Sequence, residues 1–219
     1  MACQKRPVII YGAGGHATSV ADIALSTGRV VRAFVDPFKG GRELLGVPVV
    51  SAVTEIDEWK TCEFAIAVGD NSTREKVFLE ACLQFENISF PVLVHSTASV
   101  SSTAVLERGT VVGTHASVGP CARIGKFCIL NTKSSVDHDC ILADFSSLAP
   151  AACTGGSVHI GLRSAVCINA TVKHGLHVGS DCVVGACSYL NINLESNALA
   201  FGTPARLVRN RTKGDSYLH

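Results

Sequence analysis

The sequence predicts an α/β, Rossmann-like N-terminal domain followed by a parallel β-helix built from hexapeptide repeats, and three observations carry that expectation. The first is a beat of six. Stepping from Val94 meets Val100, Leu106, Val112, Val118, Ile124, Leu130, Val136, Leu142 and Leu148, then Thr154, then Ile160, Val166, Val172, Val178, Val184 and Leu190; sixteen of the seventeen positions are aliphatic. The second is what accompanies the beat. Four residues after most aliphatics stands a small side chain, as at Ala116, Ala122, Cys128, Ser134 and Cys140, and glycine often follows directly, as at Gly113, Gly119, Gly155 and Gly179. The third is a change of pattern at "FPVLVH", which divides residues 1–92 from residues 93–219.

A period of six fits neither the 3.6 of a helix nor a hairpin series. Three hexads close one coil of a triangular prism, with the aliphatic filling the axis, the small residue fitting the corner and glycine easing the bend. Seventeen hexads give nearly six coils, so at roughly 4.8 Å between stacked strands the prism is about 27 Å long.

Before the repeat, strand and helix alternate. "VIIYG" from Val8 is a buried strand, "HATSVADIALSTG" a helix closed by Gly28, "VVRAFVD" a second strand ending at Asp36, "FAIAVG" a third, and "STREKVFLEACLQFE" a second helix whose Ser72 and Glu75 match a capping box. The first turn, "GAGGH" from Gly12 to His16, joins strand to helix and can offer backbone N–H groups to a phosphate. Asp36 stands about where a dinucleotide fold places its ribose-binding acid, but Ala17 replaces the third glycine and the domain is half the usual size. A nucleotide or nucleotide-sugar is therefore the expected guest, against a tight turn with no ligand.

Composition narrows the class. With 219 residues, a formal charge of +1, 17% charged and 47% hydrophobic residues, the chain can bury a large core and shows no electrostatic footprint for nucleic acid. No apolar stretch reaches the length of a membrane span, so a cytoplasmic protein is expected. The ten cysteines include no C-x-x-C pair and several occupy small inward positions, which reads as reduced core filler.

One stretch interrupts the monotony: "NTKSSVDHDC" sets His138 between two aspartates. His138 lies two residues past the inward Val136, so it points outward at a corner. One coil further on stand Gly155 and Gly156, whose missing side chains leave a notch beside the imidazole. An imidazole with a pKa near 7 can take a proton, and the adjacent Asp139 can orient the ring and raise its basicity. Two coils on, His174 is roughly 10 Å away, too far to share a metal, which weighs against a zinc carbonic anhydrase on the same prism. Thr154, the one polar member of the aliphatic column, predicts either a local distortion or a hydroxyl satisfied by backbone. His115, His159 and His177 read as surface or subunit-contact groups, and Arg206, Arg209 and Arg211 as solvated charges or as partners for phosphates.

"VIIYGAGGHA", "FVDPFKG", "IAVGDNSTREK", "NTKSSVDHDC" and "FGTPARLV" occur in the order found in the bacterial acetyltransferases that modify nucleotide-linked amino sugars, often grouped with sialic acid O-acetyltransferases, and the chain resembles that family from Val8 to Val208. The resemblance implies a left-handed hand for the β-helix, a homotrimer, and acetyl-CoA in the groove between neighbouring prisms. It places nucleotide-sugar contacts at Gly14, Gly15, His16, Asp36, Pro37 and Gly69, the general base at His138 with Asp139 assisting, and cofactor contacts at Ser147, Ile168 and Ala186. Gly155 and Gly156 join the cofactor set through their notch; the developing oxyanion needs a donor, expected from an unassigned backbone N–H near this double glycine. The sequence departs from some members in having Ser147 where they carry histidine and Pro37 where they carry a second acid. N-acetylation by direct attack of a sugar amine is the expected chemistry, with no metal; O-acetylation of a sugar such as sialic acid and a non-catalytic sugar-nucleotide-binding protein are the alternatives.

Overall fold

The computed structural model describes residues 5–217. β1 (Val8–Tyr11), β2 (Val31–Val35), β3 (Arg42–Leu44), β4 (Val47–Val50) and β5 (Glu63–Ile66) form one sheet in the order β3-β4-β2-β1-β5, parallel except for the β3-β4 hairpin. α1 (Gly15–Ser26) and α2 (Asn71–Gln84) complete the domain. The order of β2, β1 and β5 creates a topological switch point beside the C-terminal end of β1.

Two expectations change here. The β3-β4 hairpin was unforeseen: it turns on Leu45 and Gly46, both with positive φ, and Pro48 sits within a strand where its missing N–H is tolerated near a sheet edge. α2 starts at Asp70 rather than Ser72. Asp70 Oδ1 accepts the N–H of Thr73 at 2.9 Å, and Glu75 turns away to pair with Arg163 Nη1 at 3.0 Å.

From Leu93 the chain winds into the prism. Face one stacks Leu93–Val94, Val111–Val112, Ile129–Leu130, Ser147–Leu148, Ala165–Val166 and Val183–Val184; face two runs from Ser99–Val100 to Tyr189–Leu190; face three runs from Val105–Leu106 to His177–Val178. Strand partners within a face are 18 residues apart, as in Ser117↔Ser135 and Ile129↔Ser147. The inward aliphatics and the small residues at corners such as Ala122, Cys128 and Ala170 are buried together in one core. Ala198–Gly202 then adds to face one in parallel, and Ala205–Asn210 adds antiparallel to it.

The glycines do not act as expected. The left-handed residue of each corner comes three after the aliphatic and is seldom glycine: Phe127, Asp139, Phe145, Ser157 and Arg163 all have φ between 53 and 57°. The glycines directly after the aliphatics are required by proximity instead. A Cβ on Gly119 would lie 2.8 Å from the backbone of Asp137 and His138, and one on Gly161 would lie 2.4 Å from the carbonyl carbon of Gly179. Coils pass too closely there for any side chain.

Thr154 distorts the ladder locally. Elsewhere the residue after the inward aliphatic donates to the carbonyl one coil on, as Gly119 does to Val136 at 2.8 Å; Asp137 N–H points instead at the Thr154 hydroxyl, 3.3 Å away. Both readings of Thr154, a distortion and a backbone-satisfied hydroxyl, therefore hold.

The two parts dock through left-handed corner residues. Phe127 and Phe145 stack 5.3 Å apart and receive Phe78 of α2. Arg74, fully buried, donates to the carbonyls of Phe127 and Phe145 at 2.8 Å and to those of Val68 and Gly69 at 3.0 Å. Arg163, on the next corner of the same edge, bridges Glu75 and Asp181. A guanidinium with this many acceptors offsets its desolvation only because each one is placed.

Candidate active site

The prism has three edges, and the expected residues divide among them. The edge between faces two and three carries His138 and Asp139, the expected acid-base pair. Asp139 tolerates its left-handed corner because a short polar side chain can bond locally, and its Oδ2 lies 2.8 Å from His138 Nδ1. Asp137 Oδ1 accepts the N–H of His138 at 2.7 Å. The hydrogen bond to Asp139, and then the charge of Asp137, raise the imidazole's pKa above its ordinary value. More than half of each side chain is exposed, so the ring faces outward as expected. The notch is also present: a Cβ on Gly156 would meet the ring Cε1 and Nε2 at 2.4 Å. Gly155 serves packing, since its Cβ would fall 2.8 Å from His174 N.

A second centre lies where the N-terminal domain meets face one and the edge between faces one and two. His16 and Gly69 from the first domain, and Ser147, Ile168 and Ala186 from the prism, line a single cavity of about 460 Å³. Residues expected of the sugar-nucleotide site and of the cofactor site thus converge here. Its walls are mostly apolar, with Ile129, Pro150, Ala165, Ile168 and Phe201 among the lining residues. His16 Nε2 is enclosed without a hydrogen-bond partner, and burial, followed by the nearby Arg74 charge, pushes its pKa down to about 4. His16 also lines an adjoining cleft of about 270 Å³ between α1 and the prism.

A third pocket, about 350 Å³, opens at the switch point between Asp36, Pro37 and the helix α2. Asp36 is nearly buried and spends its carboxylate on the chain itself: Oδ2 accepts Ala13 N–H and Oδ1 accepts Phe38 N–H, both at 3.1 Å, with Lys39 Nζ 3.6 Å away. Gly12, at φ +102°, would set a Cβ 2.9 Å from Ala67 O, so glycine is obligatory. Gly14 caps α1 with no side-chain acceptor, and the space around Gly15 is open, which leaves helix N–H groups free for an anion. The Tyr11 hydroxyl also borders this pocket, unpaired, with its pKa pushed up to about 12 by burial.

Gly155, Gly156, His138 and Asp139 thus sit on a different edge from Ile168 and Ala186 and away from Ser147 on face one, and within a single chain the two groups do not come together. Sequence reasoning missed Tyr217, which lines the central cavity from the C-terminal tail, and Asn131, which lines both that cavity and the α1 cleft. Arg209 and Arg211 brace that tail through Asp215. His159 and His177 meet edge to face, ring centres 5.9 Å apart, on the exposed side of face three. Cys128, deep in the core with a thiol pKa pushed to about 11, is no nucleophile. Among the described residues, no three His, Cys, Asp or Glu side chains gather as metal ligands, and no helix is long and apolar enough to cross a membrane.

Residues 7–81 match the PglD N-terminal domain. The whole fold is similar to that of PerB from Caulobacter crescentus in complex with CoA and GDP-perosamine, with a TM-score of 0.85 and 31% identity over 92% of this chain and 96% of that one. It is also similar to the acetyltransferase domain of PglB from Neisseria gonorrhoeae in complex with acetyl coenzyme A, with a TM-score of 0.86 and 29% identity over 93% and 99% of the two chains. In sequence it is 37% identical over 111 residues to UDP-N-acetylbacillosamine N-acetyltransferase of Bacillus subtilis, covering 48% of this chain and 50% of that one. It is 29% identical over 123 residues to an uncharacterized protein of Acanthamoeba polyphaga mimivirus, 56% of this chain and 24% of that one. The chain thus spans half or less of these two curated relatives.

Proposed function

Because the chain belongs to the family of nucleotide-amino-sugar N-acetyltransferases, with its Rossmann-like domain joined to a left-handed β-helix, we propose that it moves an acetyl group from acetyl-CoA to the amine of a nucleotide-linked amino sugar. One observation carries the reading: the central cavity is lined jointly by the two domains, with the glycine-loop residue His16 and Gly69 on one wall and Ser147, Ile168 and Ala186 on the other. A long, largely apolar pantetheine arm fits its prism side, and a sugar nucleotide reaches it from the open start of α1 and the switch-point pocket.

His138 enters from a second protomer. Three prisms arranged with face two toward a common axis bring the edge between faces two and three of one against the edge between faces one and two of the next. Face two suits such an approach, since its outward side chains Ser99, Ser117, Ser135, Cys153 and Thr171 are small and only Tyr189, on its last strand, is large. In that homotrimer His138 of each protomer faces the neighbour's cavity. The amine nitrogen attacks the thioester carbonyl, the C–S bond breaks, and CoA leaves as its thiolate. The proton lost by the amine passes to His138, whose ring Asp139 orients and makes more basic. Holding both reactants in one geometry supplies much of the acceleration.

The test is release of CoA thiol from acetyl-CoA by purified protein across a panel of nucleotide sugars. Turnover is expected only with members bearing a free amine. Equal release with and without the amino sugar would sink the assignment, and a monomer by light scattering would sink the shared site.

A further inference from the structure

The tail after the last strand is tied down. Arg209 pairs with Asp215 Oδ2 at 3.0 Å, and the same oxygen accepts Thr212 N–H at 3.0 Å. Arg211 donates to the carbonyls of Asp181 and Asp215 and lies 5.9 Å over the Tyr217 ring. These ties fold the tail back and deliver Tyr217 into the central cavity. There its hydroxyl lies 3.3 Å from the carbonyl oxygen of Gly69 and 3.3 Å from Ser147 Oγ.

The direction of each bond follows from counting protons. A carbonyl can only accept, so Tyr217 gives its single proton to Gly69. Ser147 must then donate to Tyr217, which commits its hydrogen and leaves its lone pairs for the cavity. The far end is fixed as well, since Gly69 O also accepts from the buried Arg74 at 3.0 Å. Burial raises the phenol's pKa, so it keeps its proton at any ordinary pH.

We infer that Tyr217 is a positioning residue of the acyl-donor cavity: through Ser147 it presents a hydrogen-bond acceptor to an amide N–H of the pantetheine arm of CoA. The inference rests on the proposal that this cavity holds acetyl-CoA. An amide N–H set among Pro150, Ala165 and Ile168 needs such an acceptor, because leaving it unpaired costs more than the bond itself contributes.

The experiment is titration calorimetry of CoA into the full-length protein, with steady-state kinetics beside it. Tyr217→Phe is expected to weaken CoA binding about 3- to 10-fold, the worth of one hydrogen bond. Ser147→Ala should do the same, and the double variant should be no weaker than either, because both break one chain of bonds. The KM for acetyl-CoA should rise while that for the amino-sugar nucleotide stays put, whereas a merely structural role would move both. Affinity within twofold of wild type in Tyr217→Phe, or losses that multiply in the double variant, overturns the inference alone. Failure of the wild type to bind CoA overturns the donor assignment and this inference with it.

Discussion

Replacing Gly156 by alanine puts the acid-base proposal to its sharpest use. The added Cβ would lie 2.4 Å from Cε1 and Nε2 of His138 and 3.0 Å from Cδ2. Carbon contacts settle near 3.5 to 4.0 Å, so the ring must retreat by about 1 Å. It has room to do so, since its side chain is 56% exposed, and Gly156 has no positive φ for alanine to strain. Swinging an exposed ring off its rotamer costs about 0.5–1.5 kcal/mol, so Tm should fall by no more than a few degrees. Activity should not be spared: the 2.8 Å bond from Nδ1 to Asp139 is lost with the movement. A misplacement of about 1 Å costs on the order of 10²-fold in rate, which is the expected drop in kcat/KM by thiol release. Gly155→Ala is the contrast, because its Cβ would press on the backbone of His174 at 2.8 Å, where nothing flexible can yield. That variant should lose about 1–3 kcal/mol of stability. Gly156→Ala retaining activity within threefold at an unchanged Tm would refute the assignment of His138 as the base.

Three further outcomes follow from the same geometry. Asp139→Asn removes the foremost cause of His138's raised pKa, so the limb of the pH-rate profile that rises as imidazole loses its proton should move to lower pH, with a lower plateau because the base is weaker; a limb that stays put or moves up contradicts this. Thr154→Val should let Asp137 N–H return to the ladder carbonyl, raising stability by about 1 kcal/mol and Tm by about 2–4 °C in a melting curve while reducing turnover; a lower Tm would mean the hydroxyl is structural. His16 binds no proton in the fold until about pH 4 but does so when unfolded near its ordinary value, so stability should be lost as pH falls from about 6.5 toward 4, by at most about 3 kcal/mol; His16→Gln should flatten that slope in pH-dependent denaturant melts.

The prism was legible because its inward column can be read one residue in six, and burial enforces it at every step from Val112 to Leu190. The same arithmetic placed His138 outward and Gly156 beside it. It misassigned the glycines after the aliphatics, since spacing along the chain does not say how close the next coil passes. The β3-β4 hairpin escaped because Pro48 and two short strands leave no alternation to detect. Arg74 reads as an ordinary helix-surface charge, and only the arrival of Phe127 and Phe145 from more than fifty residues away makes it buried. Tyr217 gave no signal at all, being one aromatic in a short polar tail whose anchors, Asp181 and Gly69, lie far off in sequence.

The docking of Phe127, Phe145 and Arg163 in one column sets a rule for length changes in this chain. Successive members are 18 residues apart, one full coil. Adding or removing a coil after Arg163 would lengthen or shorten the prism, and slide the tail along the axis by about 4.8 Å, yet leave every later residue on its own face. A change of six would turn the rest of the molecule by a third of a revolution, carrying the C-terminal tail to a side where Gly69 is out of reach. Viable length variants of this architecture should therefore differ by multiples of eighteen.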